Sequence, residues 1–129
     1  MYREGGTIVR FIQEWGYSVP PGMEEEHQAW VQANEEALGA AAPQGMRLLG
    51  IYSNVFSSEK SAGFYRLFVE LDSYATMDAL ASAMKDASSD FGRLIREHSR
   101  FWDPDYSAPF SNALHKAVAD ATIFDPPGT

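Results

Sequence analysis

Residues 63–80 read GFYRLFVELDSYATMDAL, and this stretch decides the fold. Strand-forming aromatic and aliphatic side chains alternate across its first half, which predicts a strand from Gly63 to Leu71. Asp72 or Ser73 follows at a position where it can cap a helix. The expected helix carries an apolar stripe at three-to-four-residue spacing, made of Met77, Leu80, Ala81 and Met84. The stretch therefore predicts a strand that leads directly into a helix.

A second strand is predicted just upstream, from Met46 to Phe56. The polar residues Ser57–Ala62 separate it from the strand at Gly63 to Leu71 and suit a hairpin loop. The two strands are therefore expected to be antiparallel neighbours.

The amino-terminal third predicts a strand and then a helix. β-branched and aromatic residues are frequent from Thr7 to Val19, and Pro20-Pro21-Gly22 breaks that strand. Glu24-Glu25-Glu26 place negative charge where a helix begins, and Gly39 and Pro43 mark its end. The helix stripe consists of Met23, His27, Trp30, Val31, Asn34, Leu38 and Ala41.

The carboxyl-terminal part completes the pattern. The second helix is expected to pause at Ser88-Ser89-Asp90, to resume, and to stop at Asp103-Pro104. Its later stripe consists of Phe91, Leu94, Ile95, His98, Phe101 and Trp102. A fourth strand is expected from Ala113 to Val118. The order β-α-β-β-α-β predicts an α+β, ferredoxin-like domain: a four-stranded antiparallel sheet with two helices on one face. We expect one domain over 1–129, with flexible ends at 1–6 and 125–129.

The sequence resembles the dimeric α/β-barrel superfamily. Residues 63–80 are similar to the strand-then-helix segment of that group, and the Pro-Gly-Met-Glu-Glu start of the first helix, at 21–25, fits it as well. The resemblance covers roughly residues 7–120 and implies two ferredoxin-like subunits packed sheet to sheet. The superfamily includes cofactor-free antibiotic-biosynthesis monooxygenases, polyketide cyclases, haem-binding enzymes and members without established activity. No catalytic motif of any branch matches this sequence.

Alternation along the strands sorts side chains onto two faces. One face is expected to meet the helices and carries Val9, Phe11, Gln13, Trp15, Tyr17, Tyr65, Leu67, Val69 and Leu71. The other face carries Ile8, Arg10, Ile12, Glu14, Phe64, Arg66, Phe68 and Glu70. Its four charged residues are expected to form ion pairs. Its apolar residues predict that it is covered by a second copy of the chain, in a homodimer.

Composition limits the classes of partner. The chain has 18 acidic and 10 basic residues, a formal net charge of −8, and no Lys/Arg cluster, which argues against nucleic acid and anionic membranes as partners. The absence of cysteine excludes disulfides, thiolate nucleophiles and Cys-ligated metals. No signal peptide is recognisable at the amino terminus, so a cytoplasmic location is expected.

A candidate site follows from the topology. Because the two helices of such a fold run antiparallel, the start of the first and the end of the second lie together, which brings His27 close to His98. The end of the first strand and the start of the third reach the same place. We expect a pocket there, with His98 and His27 as acid or base and Tyr17 and Tyr65 as donors to an oxyanion. The residues expected to bind substrate are Trp15, Trp30, Trp102, Gln13, Phe11 and Asn34.

Each of these residues also has a structural interpretation. A histidine on an apolar stripe is more often a hydrogen-bonded core residue than a catalyst. Aromatic residues more often fill a core than line a pocket, and Asn34 is able to bond within its own helix. His115 lies outside any clear stripe and is expected at the surface.

Three functions remain open. The first is a cofactor-independent cyclase or monooxygenase of secondary metabolism, acting on an aromatic or polyketide-like substrate with a histidine as acid or base. The second is a haem-binding enzyme with His98 as axial ligand. The third is a dimeric binding or interaction module without catalysis. The sequence offers no two-His-one-carboxylate spacing, no phosphate-binding glycine loop and no serine nucleophile elbow, so no other cofactor or metal is expected.

Overall fold

The structure, a computed structural model, describes residues 10–56, 64–104 and 111–118. Those residues contain four strands and three helices. In chain order they are β1 (Phe11–Tyr17), α1 (Glu24–Ala40), β2 (Met46–Ser53), β3 (Tyr65–Leu71), α2 (Thr76–Lys85), α3 (Asp90–Ser99) and β4 (Ser111–Lys116).

The strands form one antiparallel sheet in the order β2-β3-β1-β4. This is the strand order of a ferredoxin-like α+β fold, so the predicted fold class is confirmed. In the two central strands Gln13 pairs with Val69 and Trp15 with Leu67. Tyr17, Leu67, Val69 and Leu71 share one face of the sheet and join a core cluster with apolar residues of all three helices. The helices therefore cover the face that alternation predicted.

The strand boundaries differ from the prediction at several ends. β1 ends at Tyr17 and not at Val19, because the chain leaves the sheet at Ser18, whose carbonyl accepts the N–H of Asp103 at 2.8 Å. β2 ends at Ser53, and Val55 and Phe56 beyond it are exposed. The predicted hairpin loop at 57–62, the strand start at 7–9 and both chain ends lie outside the described residues.

The fourth strand was predicted two residues late. β4 runs from Ser111 to Lys116, and its first pair with β1 is Ser111 opposite Gly16. Within it only Leu114 is a large apolar residue, so the alternation is too weak to fix the register. The shift matters for the site, because it places Asn112 opposite Trp15.

The helices of the second half follow the predicted interruption. α2 and α3 are separate, and the hydroxyl of Ser89 caps α3 by accepting the N–H of Gly92 at 3.0 Å. The predicted cap of α2 is wrong, because that helix begins at Thr76 and has no side-chain cap. Asp72 and Ser73 bond the Thr76 hydroxyl instead, at 2.6 and 3.0 Å.

A close backbone approach joins α2 to α3. Gly92, in the first turn of α3, lies against the last turn of α2 and the residue after it. A β-carbon at this position would come within 2.7 Å of the Ala83 carbonyl oxygen and still closer to that of Asp86. The junction therefore requires glycine at position 92, because a β-carbon has no room there.

Alanine substitution of two helical glycines tests this junction. We expect Gly92→Ala to lower the free energy of unfolding by about 1–3 kcal/mol, because the junction must open. We expect Gly39→Ala in α1 to raise it by about 0.5–1 kcal/mol through helix propensity, since its β-carbon meets only the Leu48 side chain, at 3.7 Å. Urea titration measures both changes, and equal effects of the two substitutions would contradict the close approach.

The face of the sheet away from the helices carries the predicted ion pairs, and Arg10, Arg66 and Glu70 are buried there. Arg66 Nε lies 2.9 Å from Glu14 Oε2, and Arg10 Nη1 lies 3.9 Å from Glu70 Oε2. Arg47, which the prediction omitted, joins the second pair at 3.2 Å from Glu70 Oε1. The cross-strand pairing of these charges is confirmed.

Dimerisation through the face of the sheet away from the helices stays a prediction. Phe64 and Tyr52 are 58% and 57% exposed, and Tyr52 meets Phe68 edge-on at 5.6 Å. These rings extend an apolar surface on the side of the sheet away from the helices.

Light scattering at micromolar concentration measures this association. We expect a mass twice that of the chain, and we expect Phe64→Glu to shift it towards the monomer because a charge would be buried at the interface. Tyr74→Glu is the matched control, since Tyr74 is 68% exposed but contacts Phe11 on the helix side. A monomeric wild type would contradict the prediction.

Candidate functional site

The hydroxyl of Tyr17 bonds two histidines at one end of the core. Tyr17 Oη lies 2.7 Å from His27 Nε2 and 2.9 Å from His98 Nε2. Tyr17 ends β1, His27 lies in the first turn of α1, and His98 lies near the end of α3. All three side chains are buried. The prediction that helix order brings the two histidines together is confirmed.

Trp102 gives this network a direction. Its indole N–H, which can only donate, points at Nδ1 of His98 at 3.2 Å. Neutral His98 must then carry its proton on Nε2 and donate it to the Tyr17 oxygen. The Tyr17 proton is left to bond Nε2 of His27, and neutral His27 in turn carries its proton on Nδ1. We call the ordered chain Trp102–His98–Tyr17–His27 the relay.

The relay is uncharged at neutral pH. Burial, with a smaller contribution from His27, lowers the pKa of His98 to about 3. Burial also lowers the pKa of His27 and raises that of Tyr17. Neither histidine is therefore poised as a proton carrier near pH 7, in contrast to the general base that the sequence suggested.

Two further predicted residues pack around the relay. Trp30 stacks on His98 with ring centroids 5.1 Å apart, and its indole N–H donates to Glu97 Oε1 at 3.3 Å. Tyr65 meets the His27 ring at 4.4 Å. Aromatic contacts thus close this end of the core on several sides.

A cavity of about 180 Å³ lies beside the relay, between the helix layer and the sheet. Trp15 and Trp102 form one wall, with ring centroids 4.6 Å apart. The remaining walls are mostly aliphatic or thioether side chains of all three helices and of β2 and β3, among them Leu48, Val69, Leu80, Met84 and Ile95. The cavity therefore lies between the helices and the sheet, as the sequence predicted.

The structure divides the predicted site residues between this cavity and its surroundings. Of the predicted site residues, Trp15, Trp102 and Gln13 line the cavity, whereas His27, His98, Tyr17 and Tyr65 do not. The histidine end is filled because its hydrogen bonds and ring contacts draw the side chains together. Space remains further along the sheet, where α2 and α3 face it with flexible and branched side chains.

Three other predicted residues lie outside the cavity. Trp30 stacks on His98 of the relay, Phe11 packs edge-on against Tyr74 at 5.9 Å, and Asn34 donates to the Trp30 carbonyl at 2.9 Å. The Asn34 bond is the intrahelical alternative noted for it from the sequence.

The cavity has one polar pair, made by the amides of Gln13 and Asn112. Gln13 Nε2 donates to Asn112 Oδ1 at 2.9 Å, and both residues line the cavity. One amide carbonyl and one amide NH₂ remain able to bond a ligand. Sequence reasoning missed Asn112, because the fourth strand was predicted to begin one residue later, at Ala113.

The backbone resembles solved structures of the NIPSNAP family. A NIPSNAP family protein from Agrobacterium tumefaciens aligns over 97% of this chain and 95% of its own, with a TM-score of 0.54 and 12% identity. An uncharacterized NIPSNAP domain protein from Burkholderia xenovorans aligns over 92% and 99%, with a TM-score of 0.51 and 12% identity. At this identity the likeness shows a shared ferredoxin-like fold. No protein-family model and no curated protein matches the sequence.

The residues around His98 do not fit haem. Axial ligation needs a free imidazole nitrogen, but Tyr17 and Trp102 engage both nitrogens of His98. The neighbouring cavity, at about 180 Å³, is close in size to one that holds a single benzene ring, and His98 does not line it. Haem therefore does not fit beside His98.

The described residues contain neither a metal-binding cluster nor a membrane-spanning helix. No group of three or more His, Asp or Glu side chains in 10–56, 64–104 and 111–118 is arranged to hold a metal ion. No helix in the same residues is long and apolar enough to cross a bilayer.

Acid titration tests the buried state of His98. Its pKa is about 3 in the folded chain and about 6.5 when exposed, so between these values only the unfolded chain takes up the proton. The free energy of unfolding is therefore at its full value above pH 6.5 and falls as the pH drops towards 3. Between about pH 6 and 4, we expect the free energy of unfolding of the wild type to fall more steeply than that of His98→Gln, by about 1.4 kcal/mol per pH unit.

Urea titrations at each pH measure the slope for both proteins. Parallel curves for wild type and His98→Gln would show that His98 is not held neutral.

Proposed function

We propose that this protein binds a compact aromatic or apolar small molecule in the cavity between its sheet and its helices. The observation that supports this most is a cavity with two tryptophans, aliphatic walls and one amide pair. Apolar walls with a few placed polar groups are typical of small-molecule sites. The amides of Gln13 and Asn112 would orient a single hydroxyl or carbonyl on the ligand.

The cavity volume limits the ligand to about one ring. An apolar cavity of about 150 Å³ in another protein holds benzene, and this one is about 180 Å³. Met84, which lines it, is 38% exposed and therefore marks a way in. A larger flat molecule would place one ring inside and the rest outside, past Met84.

Cyclisation or monooxygenation of such a ligand without a cofactor is a finer proposal. The rings of Trp15 and Trp102 support it, because they meet edge-on and form an aromatic wall for a flat polyketide-like ring, and Trp102 bonds His98. The described lining residues, however, include no acid or base. Binding is therefore the function that the geometry favours.

Two probes of similar shape, phenol and toluene, test the proposal. We expect both to shift the indole N–H resonances of Trp15 and Trp102 in NMR titrations. Gln13→Leu should weaken phenol binding about 2–10-fold, the equivalent of one hydrogen bond, and leave toluene binding unchanged. An equal effect on both probes would contradict the role of the amide pair.

A matched pair of substitutions on α2 tests the location. Met84→Trp adds bulk to a residue that lines the cavity, whereas Met77→Trp makes the same change on the same helix away from it. We expect only Met84→Trp to abolish binding of both probes. If Met84→Trp binds as wild type does, or if the wild type binds neither probe, the proposal fails.

A further inference from the structure

A second concave surface lies at the other end of the relay. This groove, about 330 Å³ in volume, runs between the first turns of α1 and the neighbouring ends of β2 and β3. It shares no lining residue with the cavity and is far more polar. Its lining includes Glu24, His27, Gln28, Gln32, Tyr52 and Tyr65.

The relay determines which group His27 offers to the groove. Nε2 of His27 is held by the Tyr17 hydroxyl, and in the ordered relay the ring proton is on Nδ1. Among the described residues, Nδ1 has no hydrogen-bond partner. His27 lines the groove although it is only 3% exposed, so it has one unused N–H donor beside that surface.

Tyr65 and Glu24 complete the local chemistry. The Tyr65 ring lies 4.4 Å from that of His27, and burial together with the Glu24 carboxylate raises the pKa of Tyr65, which keeps its hydroxyl protonated. The groove thus combines these two neutral donors with two carboxylates, since Glu25 lines it as well as Glu24. Two donors suit a carbonyl oxygen, and the carboxylates disfavour an anion.

We propose that the groove binds a neutral carbonyl compound, an amide or a ketone, whose oxygen accepts hydrogen bonds from Nδ1 of His27 and the hydroxyl of Tyr65. Trp102, His98 and Tyr17 act as positioning residues that keep the His27 proton on Nδ1. This site is separate from the cavity and does not depend on the ligand proposed there.

The first test compares cyclohexanecarboxamide with cyclohexanecarboxylate, which have nearly the same shape. The readout is the pair of ring ¹⁵N resonances of His27, because an occupant of the cavity touches no residue of the groove. We expect Nδ1 to be protonated in the free protein, and the carboxamide alone to shift its resonance. In the double variant Glu24→Gln, Glu25→Gln, which removes both carboxylates of the groove, cyclohexanecarboxylate should bind as well. If the His27 proton is found on Nε2, or if the carboxamide does not shift the Nδ1 resonance, the proposal is overturned.

The second test asks whether the relay sets the His27 proton. Trp102→Phe removes the indole N–H that orients His98, so both directions of the chain become comparable and His27 should become a mixture of two tautomers. With half the molecules in the competent form, carboxamide affinity falls about twofold. His27→Phe removes the donor and should abolish binding.

Tyr74→Phe is the control, because it removes an exposed phenol away from the groove and should change neither the tautomer nor the affinity. Circular dichroism checks that each variant is folded. If Trp102→Phe is folded and His27 keeps its proton wholly on Nδ1, the positioning role is overturned. If the tautomer changes while carboxamide affinity does not, His27 is not the donor and the site proposal is overturned.

Discussion

The two hydrogen bonds of the Tyr17 hydroxyl are the interaction on which the rest of the structure depends. They connect the end of β1 to the first turn of α1 and to the last turn of α3, and so fix both helices over one end of the sheet. Three buried polar side chains would each cost free energy if unbonded, but here each satisfies another. The bonded end of the core is therefore closed, and the unfilled volume lies further along the sheet.

This arrangement separates apolar binding from polar chemistry. The cavity lies where aliphatic, thioether and aromatic side chains meet the sheet, with the Gln13 and Asn112 amides as the polar groups of its described lining. The groove lies where the first turn of α1 brings Glu24 and His27 beside Tyr65. A charged group placed in the cavity would lose its hydration without a partner, whereas the groove is open to water. A single site with both properties, as the sequence suggested, would have required the histidines to lie unbonded in the core.

The sequence predicted what depends on order and periodicity. Helix stripes and antiparallel helices were sufficient to bring His27 to His98, and strand alternation was sufficient to pair Arg66 with Glu14. The cavity position was not predictable, because a void is the difference between the space enclosed and the volume of side chains such as Leu80 and Met84. Asn112 was missed for a different reason: the fourth strand was predicted to begin at Ala113, so Asn112 was not placed in the sheet at all.

Trp102 contributes to both halves of this arrangement. Its ring is a wall of the cavity and its N–H orients His98 at 3.2 Å. A cavity ligand alters the relay only if its affinity for the state in which this bond is broken differs from its affinity for the state in which the bond is formed. A single ring that fits between the walls leaves the indole in place and leaves His27 unchanged. A ligand that displaces the indole would break its bond to His98 and release the constraint on the His27 proton. The two sites are thus independent for ligands that leave the Trp102 indole in place and coupled for ligands that move it.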